Sequence, residues 1–103
     1  MQIEINANGF KATDAIREHV RTQVDHAIGR LGDRLTRVEV HLGDTNAQKG
    51  GPNDKRCMIE ARPRGAQPIA VEHRSDDLYD AINEGAAKIK RALTRKFERA
   101  DDT

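Results

Sequence analysis

Alternating apolar and polar residues mark the beginning of the chain as a strand. In residues 1–7, Ile3 and Ile5 fall on one face and polar side chains fall on the other, and the Asn8-Gly9 pair favours a turn directly afterwards. The same alternation recurs in three later segments, residues 36–44, 56–62 and 68–73. Each of these four predicted strands is apolar on one face only, which is typical of a sheet that is covered on one side.

Two further segments carry apolar residues at the three- and four-residue spacing of an amphipathic helix. The first begins after Thr13, which is placed to cap it, and Gly32 is its expected end. The second begins after Ser75 or Asp76 and extends to about Arg99. The predicted core positions of the two helices are Ile16, Val20, Val24, Ala27, Ile28 and Leu31, then Leu78, Ile82, Ala86, Ile89, Leu93 and Phe97.

The order of these elements predicts an α+β fold with the sequence β-α-β-β-β-α. We expect a four-stranded mixed sheet with two parallel helices packed on one face. A right-handed first crossover makes the first two strands parallel, and the later strands are expected to be antiparallel. Residues 1–100 are predicted to form a single domain, residues 101–103 a frayed tail, and residues 45–54 a loop around Gly50-Gly51-Pro52.

Composition excludes several classes of protein. No apolar run approaches the roughly 20 residues of a membrane helix, and we find no signal peptide, so we expect a cytoplasmic protein. The single cysteine, Cys57, cannot form an intrachain disulfide. Aromatic residues make up 3% of the chain, which argues against recognition of single-stranded nucleic acid by base stacking.

The formal net charge of +1 hides an uneven distribution of charge. Residues 76–84 carry four acids and no base, whereas residues 88–99 carry six bases and one acid. The helix dipole accounts for part of this pattern. A row of four bases within roughly 80° of arc indicates either a solvated basic face or a phosphate-binding face. The row consists of Lys88, Arg91, Arg95 and Arg99.

The predicted topology also gathers bases at one pole, where both helices end and the third strand turns into the fourth. Acids at the start of the second helix fall at the opposite pole, together with a few basic loop residues. The bases expected at the first pole are Arg30, Arg34, Arg37, Arg62, Arg64, Arg91, Arg95, Lys96 and Arg99.

Other reactive residue types do not form a site. His19 and His26 are seven residues apart and lack carboxylate or cysteine partners, so we expect no metal. Cys57 is in phase with two apolar residues and is predicted to be a buried hydrophobe. We therefore expect no catalytic residue, no cofactor and no small-molecule substrate, and we interpret the chain as a protein without enzymatic activity.

Two stretches of sequence resemble the ribosome hibernation-promoting factor and ribosome-associated inhibitor A family, in its short form. They are residues 13–20, TDAIREHV, and residues 77–83, DLYDAIN, the latter followed by Lys88, Arg91 and Arg95. The resemblance implies the β-α-β-β-β-α fold and binding to the small ribosomal subunit and its rRNA. It also implies occlusion of the mRNA and tRNA channel, and hence translational inhibition under stress. The chain departs from the family in the second half of the first helix, which is usually rich in lysine.

The resemblance places RNA-binding residues on both helices. Two other functions stay open on the charge pattern alone, namely a protein-interaction module that docks an acidic partner and a general RNA-binding domain. We expect a monomer, because the outer sheet face is too polar for a large obligate interface. Arg17, Lys88, Arg91 and Arg95 match basic family positions, and Arg21, Arg30, Lys96 and Arg99 are their expected neighbours at the RNA.

Overall fold

Four strands and two helices follow one another in the predicted order. The computed structural model describes residues 1–44 and 54–101. The predicted loop at residues 45–54 therefore lies outside the described residues, apart from the buried Asp54. The elements are β1 (Gln2–Asn8), α1 (Asp14–Ile28), a 3-10 segment (Gly29–Arg34), β2 (Leu35–Asp44), β3 (Lys55–Pro63), β4 (Ile69–Ser75) and α2 (Leu78–Asp101).

The strands form one mixed sheet in the order β1-β2-β3-β4. β1 is parallel to β2, with Ile3 opposite Val38, and β2 is antiparallel to β3, with Val40 opposite Ile59. β3 and β4 are also antiparallel. This topology confirms the predicted crossover and the meander that follows it.

Both helices pack on the same face of the sheet and run parallel to each other. Near their starts, His19 Nε2 lies 2.7 Å from Asn83 Oδ1. Beyond their far ends, Arg34 lies 3.2 Å from the Asp101 carboxylate. A single cluster of buried side chains joins the helices to the sheet, as the apolar pattern predicts. Its predicted members are Val20, Val24, Ile28, Val38, Val40, Leu42, Cys57, Ile59, Ala61, Ile82, Ile89, Leu93 and Phe97.

The end of α1 differs from the prediction. Thr13 does cap the helix, since the Ile16 amide donates to its Oγ1 at 3.2 Å. However, the α-helix ends at Ile28, and the chain continues as 3-10 helix through Gly32 instead of stopping there. Glycine weakens an α-helix, and the tighter winding starts at Gly29, the first glycine that the helix meets.

The start of α2 is also shifted. Asp77 is the capping residue, not Ser75 or Asp76, because its Oδ1 accepts from the Tyr79 amide at 3.0 Å. Ser75 instead fixes the turn before the helix, since its Oγ accepts from the Asp77 amide at 3.2 Å. These contacts delay the first helical residue to Leu78.

The predicted frayed tail is wrong at Asp101, which is the last residue of α2. Its carboxylate accepts two hydrogen bonds from Arg34, whose guanidinium also lies 3.9 Å from the centre of the Phe97 ring. The helix therefore extends two residues beyond Arg99. Residues 102–103 lie outside the described residues.

Neither helix in the described ranges has the length and hydrophobicity needed to cross a membrane.

Candidate nucleic-acid interface

The β3–β4 turn, the 3-10 segment and the end of α2 meet at the predicted basic pole. The turn Pro63–Ala66 has a left-handed Gly65 with φ of 68° and follows β3 as predicted. Arg64 donates from its amide to the Arg34 carbonyl at 2.9 Å and from Nε to the Asp33 carbonyl at 3.0 Å. These bonds hold the turn against the 3-10 segment, which the ion pair of Arg34 with Asp101 joins to the end of α2.

Several bases assigned to this pole are neutralised on the outer face of the sheet, which is the face turned away from the helices. Arg37 lies 2.8 Å from Glu39 and 3.8 Å from Glu4. Arg62 lies 3.0 Å from Glu60 and 3.6 Å from Glu39. These two arginines were expected at the basic pole, and the structure shows each of them held by two carboxylates. Arg34 is neutralised in the same way by Asp101.

The other end of the outer face is paired as well. Arg74 and Arg56 lie 2.8 Å and 3.0 Å from the Glu72 carboxylate, and their hydrogen bonds hold the pKa of Glu72 below its usual value. On the helix-covered side, where β2 ends and β3 begins, Lys55 lies 2.7 Å from Asp44, and this hydrogen bond raises the pKa of the lysine. The outer face thus carries matched charges, which do not make a phosphate-binding surface.

Unpaired bases gather instead on the helix layer. Arg30, Arg91 and Arg95 are exposed, and among the described residues no carboxylate lies within 4.0 Å of any of them. They line a groove of about 320 Å³ between the 3-10 segment and α2, here called the basic groove. Its lining residues are Arg30, Lys90, Arg91, Thr94, Arg95 and Glu98.

Lys90 belongs to this groove although the sequence analysis left it out of the candidate site. It stands outside the row that begins at Lys88, because it falls on the side of α2 that faces the 3-10 segment. Arg30 provides the signal that could have found it, since the parallel arrangement of the helices brings the end of α1 beside the last turns of α2. The structure thus joins Arg30, Arg91 and Arg95 and adds Lys90.

Lys88 does not point into solvent as the row of four bases predicts. It is half-buried, and its Nζ donates to the Glu72 carbonyl of β4 at 2.9 Å. Lys96 is also half-buried, whereas Arg99 is exposed. Three of the four bases of the predicted row, Arg91, Arg95 and Arg99, therefore offer fully accessible charge.

The two candidate residues on α1 lie apart from the row on α2. Arg17 reaches β1, where its Nη1 donates to the Ile5 carbonyl at 3.4 Å, and Arg21 is exposed one turn later on the same side. Lys88 reaches β4, and β1 and β4 are the opposite edges of the sheet. Three strand spacings of about 4.8 Å separate those edges by about 14 Å. The predicted site is therefore divided into two basic regions.

Cys57 is fully buried, as predicted, and burial raises the pKa of its thiol to about 12. A thiol that stays protonated at neutral pH is not an active nucleophile. His19 lies between the helices, against Asn83 and the Tyr79 ring. Among the described residues, no three His, Cys, Asp or Glu side chains stand close enough together to hold a metal.

Two solved structures share this fold. The Thermus thermophilus Protein Y N-terminal domain is 24% identical, with a TM-score of 0.74 and coverage of 92% of this chain and 98% of that chain. A ribosomal subunit interface protein from Coxiella burnetii is 19% identical, with a TM-score of 0.78 and coverage of 95% and 99%. At these identities the likeness establishes the fold. No curated protein matches this sequence.

A family model establishes the relationship that the structures leave open. The model described as "Sigma 54 modulation protein / S30EA ribosomal protein" matches residues 3–101, nearly the whole chain. This match confirms the resemblance carried by the two helices. The chain therefore belongs to the Sigma 54 modulation protein / S30EA ribosomal protein family, a family of ribosome-associated hibernation and modulation factors.

Proposed function

We propose that this protein inhibits translation by binding rRNA phosphates of the small ribosomal subunit and occluding the mRNA and tRNA channel under stress. The observation that carries the proposal is the separation of paired from unpaired bases. Arginines on the outer sheet face are held by carboxylates, whereas those of the basic groove are not. Family membership supports the ribosome as the partner.

The basic groove suits the phosphate backbone of a folded RNA better than the unpaired nucleobases of a single strand. Its arginines present planar guanidinium groups, which match phosphate oxygens in pairs of hydrogen bonds. Tyr79 is the one exposed aromatic side chain in the described part of the chain, so base stacking contributes little. Contacts to phosphate fix position without reading sequence, and double-helical RNA is recognised largely by shape.

Arg17 and Arg21 form a second basic region on the β1 side of the helix layer. Two separated regions span more than one phosphate of a strand, and so they orient the protein on a structured RNA. Inhibition by occupation of the channel needs no catalytic step. A ribosomal partner places the protein in the cytoplasm.

The test compares two triple variants that each remove three positive charges. One replaces Arg30, Arg91 and Arg95 by Gln, and the matched control replaces Lys11, Arg17 and Arg21 by Gln. Each exposed charge pair contributes about 0.5–1 kcal/mol, so the first variant should bind purified small subunits about 10- to 100-fold more weakly. Cosedimentation with small subunits, together with inhibition of translation in vitro, measures the effect.

The control variant should lose less affinity than the groove variant. A larger loss of affinity in the control variant would place the main RNA contact on the β1 side of the helix layer. Unchanged binding by both variants would contradict a phosphate-driven contact and favour an acidic protein partner. Equal affinity for an unrelated RNA duplex would favour a general RNA-binding domain.

A further inference from the structure

β4 leaves an open edge on the sheet. It is the last strand in the order β1-β2-β3-β4, so among the described residues one side of its backbone has no partner strand. The contact of Lys88 Nζ with the Glu72 carbonyl, 2.9 Å long, shows that this carbonyl points to the open side. Because backbone groups of a strand alternate in direction, Ala70 and Arg74 present their amides and carbonyls to the same side.

A groove of about 650 Å³ runs beside this edge, between the β3–β4 turn and the last turns of α2; we name it the edge groove. Its floor includes the apolar side chains of Ile69 and Ala92, both partly exposed. Three bases, Arg95, Lys96 and Arg99, rise from α2 along it, and none of its described lining residues is acidic. The edge groove therefore combines apolar surface, positive charge and a free strand edge.

These three properties together select the occupant. An RNA strand would use the charge, and its phosphates could accept from amides of β4, but it would leave the apolar floor uncovered and could not reproduce the alternating donors and acceptors of a paired strand. A second copy of this chain, paired edge to edge, would bring Arg95 and Arg99 close to the same bases of its partner. A peptide satisfies all three properties when it is extended and carries acidic residues with apolar residues between them.

We propose that the edge groove docks an extended acidic segment of a partner protein, which adds to β4 as a fifth strand. Main-chain hydrogen bonds to β4 supply affinity, and side chains of the added strand meet Ile69 and the bases of α2. Lys88 now protects the edge by holding the Glu72 carbonyl, a common way to prevent unwanted strand pairing. On docking, Lys88 would leave that carbonyl and bind a carboxylate of the incoming segment.

The first test uses a fluorescein-labelled eight-residue peptide that alternates valine and glutamate, measured by fluorescence anisotropy against the purified protein. Replacing Arg95 and Arg99 by Gln should weaken its binding at least about threefold, because rim ion pairs are individually weak. The matched control replaces Lys90 and Arg91, which line the basic groove instead, and should bind within twofold of the wild type. A peptide with lysine in place of glutamate should not bind.

The second test concerns the backbone. Ala70→Pro removes one outward amide from β4, a substitution that an edge strand tolerates, and should abolish peptide binding. Circular dichroism shows whether this variant is folded. If it is not, a peptide N-methylated at alternate residues tests the same hydrogen bonds from the ligand side, and it too should fail to bind.

Three results would overturn the proposal. The first is absence of binding by the acidic peptide at millimolar concentration. The second is undiminished binding of the N-methylated peptide. The third is undiminished peptide binding when Arg95 and Arg99 are replaced, which would show that these bases do not meet the acidic side chains. Ribosomes take no part in the peptide measurements, so they are independent of the function proposed above.

Discussion

Replacing Gly85 by alanine tests how closely α2 approaches the sheet. Gly85 is buried within α2, and a Cβ there would lie 3.2 Å from Cys57 Sγ and 3.4 Å from Ile59 Cδ1. Alanine gains about 1 kcal/mol over glycine in helix propensity. Forcing a methyl group into a packed core costs about 1–3 kcal/mol. When the gain is set against the cost, the free energy of unfolding should fall by up to about 2 kcal/mol.

The sulfur atom can be removed to isolate the cause. In a Cys57→Ala background the closest contact is gone, so Gly85→Ala should instead stabilise the protein by about 1 kcal/mol through helix propensity. Urea unfolding of the four proteins, followed by circular dichroism, gives the coupling free energy between the two positions. An equal cost of Gly85→Ala in both backgrounds would refute the inference that Cys57 limits the space.

Three further predictions follow from the contacts described above. Binding to small subunits should weaken with salt with a log–log slope of about −3 to −4, since the four bases of the basic groove would neutralise about four phosphates, and a flat response would contradict this. The Cys57 thiol, whose pKa burial raises to about 12, should not react with Ellman's reagent at pH 8 until the protein unfolds. Because the folded state holds that proton more tightly, stability should fall as pH rises above the unfolded thiol pKa of about 8.5. Arg34→Gln removes the contacts to Asp101 and Phe97 and should cost about 1 kcal/mol, which lowers the Tm by about 4–8 °C. An unchanged melting curve would show that these contacts add nothing.

The architecture could be predicted because hydrophobic periodicity is a local property of the sequence. The alternation around Val38 and Val40 predicts which face of β2 is buried, and both valines are buried in the structure. The spacing of Ile82, Ile89 and Leu93 does the same for α2. Since every element has one apolar side, a single layer of helices on a single sheet is the arrangement that buries all of them.

Helix ends were less predictable because several neighbouring residues have the same chemistry. Gly29 and Gly32 can both interrupt α1, and nothing in their immediate sequence decides between them. Ser75, Asp76 and Asp77 can all cap α2, and the choice depends on where β4 releases the chain. Each difference between the predicted and the observed helix end depends on the three-dimensional position of the chain, which local propensity does not predict.

The pairing of charges on the outer sheet face had a visible signal in the sequence. Residues i and i+2 of a strand lie on the same face, so acids and bases at that spacing can pair. Arg37 with Glu39 and Arg74 with Glu72 have this spacing, and both form ion pairs of 2.8 Å. Applying the rule to the sequence would have predicted that the charges of these arginines are compensated.

The rest of the site depends on three-dimensional placement that the spacing on one helix cannot provide. Lys88 and Arg95 belong to the same helical row, yet Lys88 binds the β4 backbone and Arg95 is exposed. Arg30 lies far from Arg91 in sequence and shares a groove with it. What distinguishes an accessible base here is therefore the absence of a carboxylate or carbonyl partner, not membership of a charged row. A nearly neutral chain can expose a basic end on its helix layer because acids occupy residues 76–84 and bases occupy residues 88–99, so the two signs are separated along α2.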